Sequence, residues 1–293
     1  MLDYHLHLWQ HGPRPLEVTL EQVAAYCAHA AEHGVTEIAL TEHLHRFRQA
    51  DSLLHGWWDD ERIESTPALR ATMADFWRED LDGGCDLDTY VEVVLAAKQE
   101  GLPVVLGLEV DYYETRMDDV ATLLRGYPFD VLLGSVHWLG TWGFDNWGAP
   151  AFEAEWSVRK VEDVWEAYTR SLEELAGSGA TDVLAHPDLV MVMGHLPDVP
   201  DEWYDRMAEA AARSGMAAEV SSAGWRKPVG MAYPAPPLLQ RFNARGVPIT
   251  TASDAHKLDQ VADRRPDVKD LCVAAGYDSL QAYTNRTPRT VAL

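Results

Sequence analysis

Hydrophobic and polar positions fall into two kinds of block along this chain. Short apolar runs rich in β-branched residues occur at 2–8, 35–43, 103–111, 130–137, 181–188, 216–222 and 247–256. Between them lie longer stretches, at 20–34, 88–101, 161–177, 202–215 and 235–246, in which apolar residues recur every three or four positions. The runs predict buried strands and the stretches predict amphipathic helices. Strand followed by helix, repeated about seven times, predicts parallel strands joined by crossover helices. Two segments break the rhythm. Residues 44–86 form a long insertion containing Trp57, Trp58 and Asp59, and residues 138–157 are rich in Trp and Gly. Each follows a strand end, so both are expected as loops on one rim that wall or cover a site.

Composition narrows the class. The 293 residues are 47% hydrophobic, ample for one large core, and the expectation is a single domain spanning 1–293. No apolar run is long enough for a membrane span, and no charged n-region precedes an apolar one, so a membrane protein is not expected. The three cysteines, Cys27, Cys85 and Cys272, are far apart and form no CxxC pair. They suit a reducing, cytoplasmic compartment better than disulfides or thiolate metal sites. A net charge of −23 repels a phosphate backbone, so nucleic acid is not an expected partner. Cations gathered in a cleft would reverse that field locally and leave room for a small anionic substrate.

The chemistry sits at the strand ends. The first run carries His5 and His7, with His11 just beyond; the second ends in Glu42 and His43, and the third in Glu109. His137 ends the fourth, His186 the fifth, and Asp254 and His256 the last. In a parallel barrel all C-terminal strand ends meet on one face. Residues i and i+2 of a strand share a side, so His5 and His7 can reach one ion together. A lone histidine is usually a hydrogen-bonded core residue. Burying this many without counter-charge is costly, and a metal cluster with carboxylates removes the cost. One ion takes about four ligands, so the nine side chains His5, His7, His11, His43, Glu109, His137, His186, Asp254 and His256 suit about three. Imidazole and carboxylate without thiolate fit Zn, Mn or Fe.

These residues resemble the polymerase-and-histidinol-phosphatase (PHP) superfamily. The matching motifs are DYHLH, TEH, GLE, GSVH, AHPD and SDAH, in order along almost the whole chain. The resemblance implies a distorted (β/α)7 TIM-like barrel with a trinuclear metal site at the C-terminal strand ends. It would place a first ion on His5, His7, Glu109 and Asp254. Glu109 would bridge to a second ion on His137 and His186, and a third would sit on His11, His43 and His256. Glu42 departs from the aspartate that many relatives carry before the histidine.

The segment EVSSAGWRKPVGMAYP, residues 219–234, is similar to one found in histidinol-phosphate phosphatases. By that likeness the protein would hydrolyse L-histidinol phosphate, a step of histidine biosynthesis, through attack of a metal-activated hydroxide. Glu109, His137, Asp254 and His256 would form the catalytic centre. Arg226 and Lys227, a basic pair in an acidic chain, would hold the phosphate; Arg116 and Arg159 are weaker candidates. Trp57, Trp58, Asp59, Trp142 and Asp145 would face the substrate amine and imidazole, Trp142 and Asp145 foremost. The alternatives are a phosphoesterase of the same superfamily acting on another small ester or nucleotide, and a metal-binding module without catalysis.

Overall fold

The computed structural model describes residues 1–12, 17–81, 84–146 and 148–293. Each predicted apolar run contains a strand: Leu2–Leu6, Glu37–Leu40, Val104–Asp111, Val131–Ser135, Val183–Leu184, Ala217–Ser221 and Ile249–Ala252. They form one seven-stranded sheet ordered in space as in sequence, with every neighbouring pair parallel. The first and last strands meet through a parallel bridge between Leu6 and Ala255. There the His7 N–H donates to the Ala255 carbonyl at 2.8 Å, and the Thr251 hydroxyl donates to the Leu2 carbonyl at 2.7 Å. The sheet is a nearly closed barrel. Its strands are buried along almost their full length, as expected when helices cover the outside and side chains fill the inside.

The predicted helices form at Leu20–Glu32, Leu87–Gln99, Val161–Ser178, Asp201–Ser214 and Pro236–Ala244. Thr19 and Asp86 start the first two by accepting from the Gln22 and Asp88 N–H groups at 3.2 and 2.9 Å. The two insertions are not plain loops. The first holds helices Arg48–Leu54 and Pro67–Leu81, and the second a short hairpin, Trp138–Leu139 with Trp142–Gly143, followed by helix Pro150–Val158. Their tryptophans explain the order. Trp58 packs at 5.4 Å from Trp77, and Trp57 at 5.6 Å from Tyr113, so the insertion builds its own apolar seam against the barrel.

Two further helices, Met117–Leu124 and Arg265–Ala274, and a C-terminal hairpin, Ser279–Thr284 with Thr287–Ala292, were not evident from periodicity. The hairpin closes the N-terminal mouth of the barrel. Arg286 reaches Asp182 at 2.9 Å, the Asn285 N–H donates to Asp130 at 3.0 Å, and Arg289 pairs with Glu37. All three acids lie at the starts of strands, opposite the histidine-bearing end.

Candidate metal centre

Several predicted strands run past their last paired residue, and those overhangs carry the chemistry. His43, His137, His186, Asp254 and His256 all lie just beyond a ladder, where the backbone bends over the barrel mouth. His186 and Asp254 adopt φ of 26° and 51°, a conformation non-glycine residues rarely hold unless their surroundings impose it.

Glu109 is the hub. One of its oxygens lies 3.0 Å from His186 Nε2 and 3.6 Å from His137 Nε2. The other lies 3.2 Å from His5 Nε2, 3.4 Å from His7 Nε2 and 2.9 Å from His43 Nδ1. Asp254 adds an oxygen 3.5 Å from His7 Nε2 and 3.8 Å from His5 Nε2. Burial opposes ionisation of Glu109, yet His43, His5 and His137 outweigh it and hold the carboxyl well below its usual range. A carboxylate whose two oxygens serve opposite groups of imidazoles is built to bridge cations.

Carboxylates also hold the far sides of the rings. Glu219 lies 2.7 Å from His5 Nδ1, with both side chains fully buried. Asp111 hydrogen-bonds His137 Nδ1 and accepts from the Tyr113 hydroxyl at 3.2 Å. Burial lowers the proton affinity of His137, but Asp111 and Glu109 more than reverse this and raise its pKa to about 10. Such partners fix the tautomer of a ligating imidazole and raise its basicity. Glu42 turns one oxygen to the Leu8 and Trp9 N–H groups and the other toward His7 Nδ1 at 3.6 Å.

The residues present fit metal ions. His5 Nε2, both nitrogens of His7 and His43, His186 Nδ1 and His256 Nε2 are buried without a well-directed hydrogen-bond partner. Such orphaned nitrogens are costly unless a cation takes them. Compact donor sets are formed by His5, His7 and Asp254; by His5, Glu109 and His186; and by His7, His43 and His256. His11 stands at the edge, its ring centroid 4.4 Å from that of His256 and 5.4 Å from that of His43. All nine candidate ligands therefore converge. A further set, His43, His45 and Asp111, has no counterpart in the motif reading.

A cavity of about 310 Å³ opens onto the cluster. Besides histidines, Glu109 and Asp254, its lining includes Phe76, Trp138, Asp145, Asn146, Leu189 and Lys227. Lys227 and Asp145 both line this cavity. Trp142 does not, and this is a correction: it is fully buried, its indole N–H donates to the Phe152 carbonyl at 2.9 Å, and Arg159 lies over its ring. Among the described residues, Trp138 is the tryptophan that lines the cavity. Arg226 is also displaced from its expected role, because its guanidinium binds Asp263 at 2.7 Å and the Ser253 and Asp254 carbonyls at 2.6 and 3.1 Å. It braces the strained backbone at Asp254 from behind. Arg159 pairs with Glu155 and Glu64, and Arg116 lies 4.0 Å from Asp119. Trp57 and Trp58 pack in the insertion, and Asp59 is exposed.

Sequence reasoning missed Asp80, Arg46, His45, Asp111 and Glu219, the buried partners behind the ligands. The acid two positions after Glu109 on its strand was the one local signal, since it shares the ligand's face.

With this geometry in hand, comparisons place the chain among known proteins. A family model described as PHP domain matches residues 5–223, which covers every candidate ligand except Asp254 and His256. A protein named probable histidinol-phosphatase from Deinococcus radiodurans is 39% identical over 200 residues, 67% of this chain and 74% of the relative. Among solved structures, histidinol phosphate phosphatase from Lactococcus lactis, complexed with zinc, L-histidinol and phosphate, superposes with a TM-score of 0.69 at 18% identity over 98% of both chains. A putative histidinol phosphatase from Listeria monocytogenes gives the same TM-score at 17% identity, covering 91% of this chain and 99% of that one. Matching motifs, barrel and family model agree that this chain belongs to the PHP domain family.

Proposed function

We propose that the protein is a metal-dependent phosphomonoesterase that hydrolyses L-histidinol phosphate to L-histidinol and inorganic phosphate, in histidine biosynthesis. The observation that carries this reading is Glu109, with imidazoles gathered on both of its oxygens at the floor of a small cavity. The Deinococcus relative, 39% identical and named for this activity, supports the substrate.

His5, His7, Glu109 and Asp254 would hold one divalent ion, Glu109, His137 and His186 a second, and His11, His43 and His256 a third. The ions, Zn, Mn or Fe, would supply Lewis-acid activation of water and neutralise phosphoryl charge. Glu109, His137, Asp254 and His256 form the catalytic centre by fixing that arrangement. The chain's other residues bind and orient. Lys227 offers an ammonium to the phosphate, and Asp145, lining the same cavity, a carboxylate to the substrate's amine or imidazole. Trp138 and Phe76, 5.2 Å apart, supply an aromatic wall for the imidazole ring. Arg226 contributes by holding the Asp254 backbone.

The reading includes one barrel domain over 1–293 and a cytoplasmic setting, supported by three buried free cysteines. No helix among the described residues is long and apolar enough to cross a membrane. The test is kcat/KM of metal-loaded protein on L-histidinol phosphate, a panel of phosphate esters and a short oligonucleotide. A preference of at least about a hundredfold for L-histidinol phosphate, lost in His137→Ala, is expected. Slow, even hydrolysis of the panel would discard the substrate and keep a phosphoesterase; metal binding without turnover would leave a non-catalytic module.

A further inference from the structure

Asp80 lies on the inserted helix Pro67–Leu81, outside the barrel strands, yet its side chain is only 3% exposed. A carboxylate that deep must be paired, and it is paired on two sides. One oxygen is 2.7 Å from His45 Nε2 and accepts from Arg46 Nε at 3.0 Å. The other accepts from Arg46 Nη2 at 3.3 Å and from the Gly12 N–H at 3.4 Å.

Each partner leads to the candidate metal centre. Arg46, fully buried, donates through Nη1 to the Trp9 carbonyl at 3.2 Å and to Glu42 at 3.3 Å. Its Nη2 meets the Gln10 carbonyl at 3.5 Å and His11 Nδ1 at 3.1 Å. That fork gathers residues 9–11, the segment bearing His11, and the carboxylate behind His7. His45, on the other side, has its Nδ1 3.6 Å from Asp111, the acid that holds His137. The two arms reach different members of the cluster and meet at one carboxylate.

We infer that Asp80 is a positioning residue for the metal centre: through Arg46 and His45 the inserted helix fixes the His11 segment and the Asp111–His137 pair. The insertion is then a support for the centre as well as a wall. This rests on the metal reading proposed above. An arginine fork is needed because the bonds diverge in one plane, which a lysine ammonium cannot reproduce.

The test uses full-length protein stripped of metal and titrated with Mn2+ or Zn2+, following metal occupancy, turnover, near-UV circular dichroism and thermal unfolding. Asp80→Asn keeps the size but sets an amide donor against donors. Arg46→Lys keeps the charge but loses the fork. Folded variants are expected to bind at least one ion about 10- to 100-fold more weakly, the range typical of lost outer partners. Their activity should fall at limiting metal and return with excess metal, a rescue that general structural damage would not show. Wild-type titration curves in both folded variants would overturn the inference. So would loss of fold together with all ions in both, which would make Asp80 a part of the fold only. If Asp80→Asn alone fails to fold, Arg46→Lys decides. A wild-type protein that takes up no metal would instead refute the metal reading itself.

Discussion

Glu219 offers a sharp prediction about how the protein prepares a ligand. Its carboxylate accepts from His5 Nδ1 at 2.7 Å, and its second oxygen faces the His186 N–H at 3.4 Å. Both Glu219 and His5 are fully buried, so water cannot replace a lost partner. A charge-assisted bond of this kind contributes about 1.5–3 kcal/mol. At about 1.4 kcal/mol per tenfold, Glu219→Ala should weaken binding of the ion on His5 by about 10- to 150-fold. Glu219→Gln should fall between, since its amide oxygen can still accept from Nδ1 while the charge is gone. Metal titration of stripped protein measures the affinity, and kcat/KM on L-histidinol phosphate at limiting and saturating metal measures the consequence. Activity of both variants should recover substantially with excess metal. Unchanged affinity in Glu219→Ala would refute the reasoning, because the bond would then contribute nothing to holding His5.

Other outcomes follow from the same geometry. With no ion bound, the pKa of His137 is raised to about 10, so at pH 7 that ring carries a proton that a cation must displace. Metal loading should release protons, seen by calorimetry in buffers of different ionisation enthalpy, and affinity should climb as pH rises from about 6 to 9; pH-independent affinity would contradict this. A Cβ on Gly224 would lie 2.0 Å from the Met231 carbonyl oxygen, so Gly224→Ala must shift the backbone that carries Lys227. It should destabilise by about 1–3 kcal/mol and raise KM more than it lowers kcat, read by denaturant unfolding and steady-state kinetics. Arg286→Ala should cost about 1 kcal/mol, reduced by the partial exposure of its pair with Asp182, with kcat little changed because the hairpin lies at the far mouth.

The sequence made the centre legible because the ligands lie in or just beyond the C-terminal parts of apolar runs. Once strands alternate with helices, topology alone brings His5, Glu109, His186 and Asp254 together from across the chain. Their supports were less visible. Asp80 and Arg46 act only because a helix between barrel strands folds back, and nothing near them in sequence signals that return. Asp111 had a local signal in its register with Glu109, and Glu219 lay within a recognised motif without its own role being evident. The tryptophans illustrate the reverse error. A Trp-rich loop is consistent with both a pocket wall and a packed hairpin; Trp138 and Trp142 are both buried, and only the cavity lining sorts the first from the second. The C-terminal hairpin escaped because its outer strand, Thr287–Ala292, is mostly exposed and so carries no clear alternation.

On the function proposed above, this cluster of imidazoles and carboxylates hydrolyses L-histidinol phosphate through bound cations. The most direct measurement titrates metal-stripped protein with Zn2+ or Mn2+ while following phosphate release from L-histidinol phosphate. Turnover should be absent at the start, rise as the sites fill, and level off when they are full. Full activity in stripped protein, or no phosphate from fully loaded protein, would contradict the account.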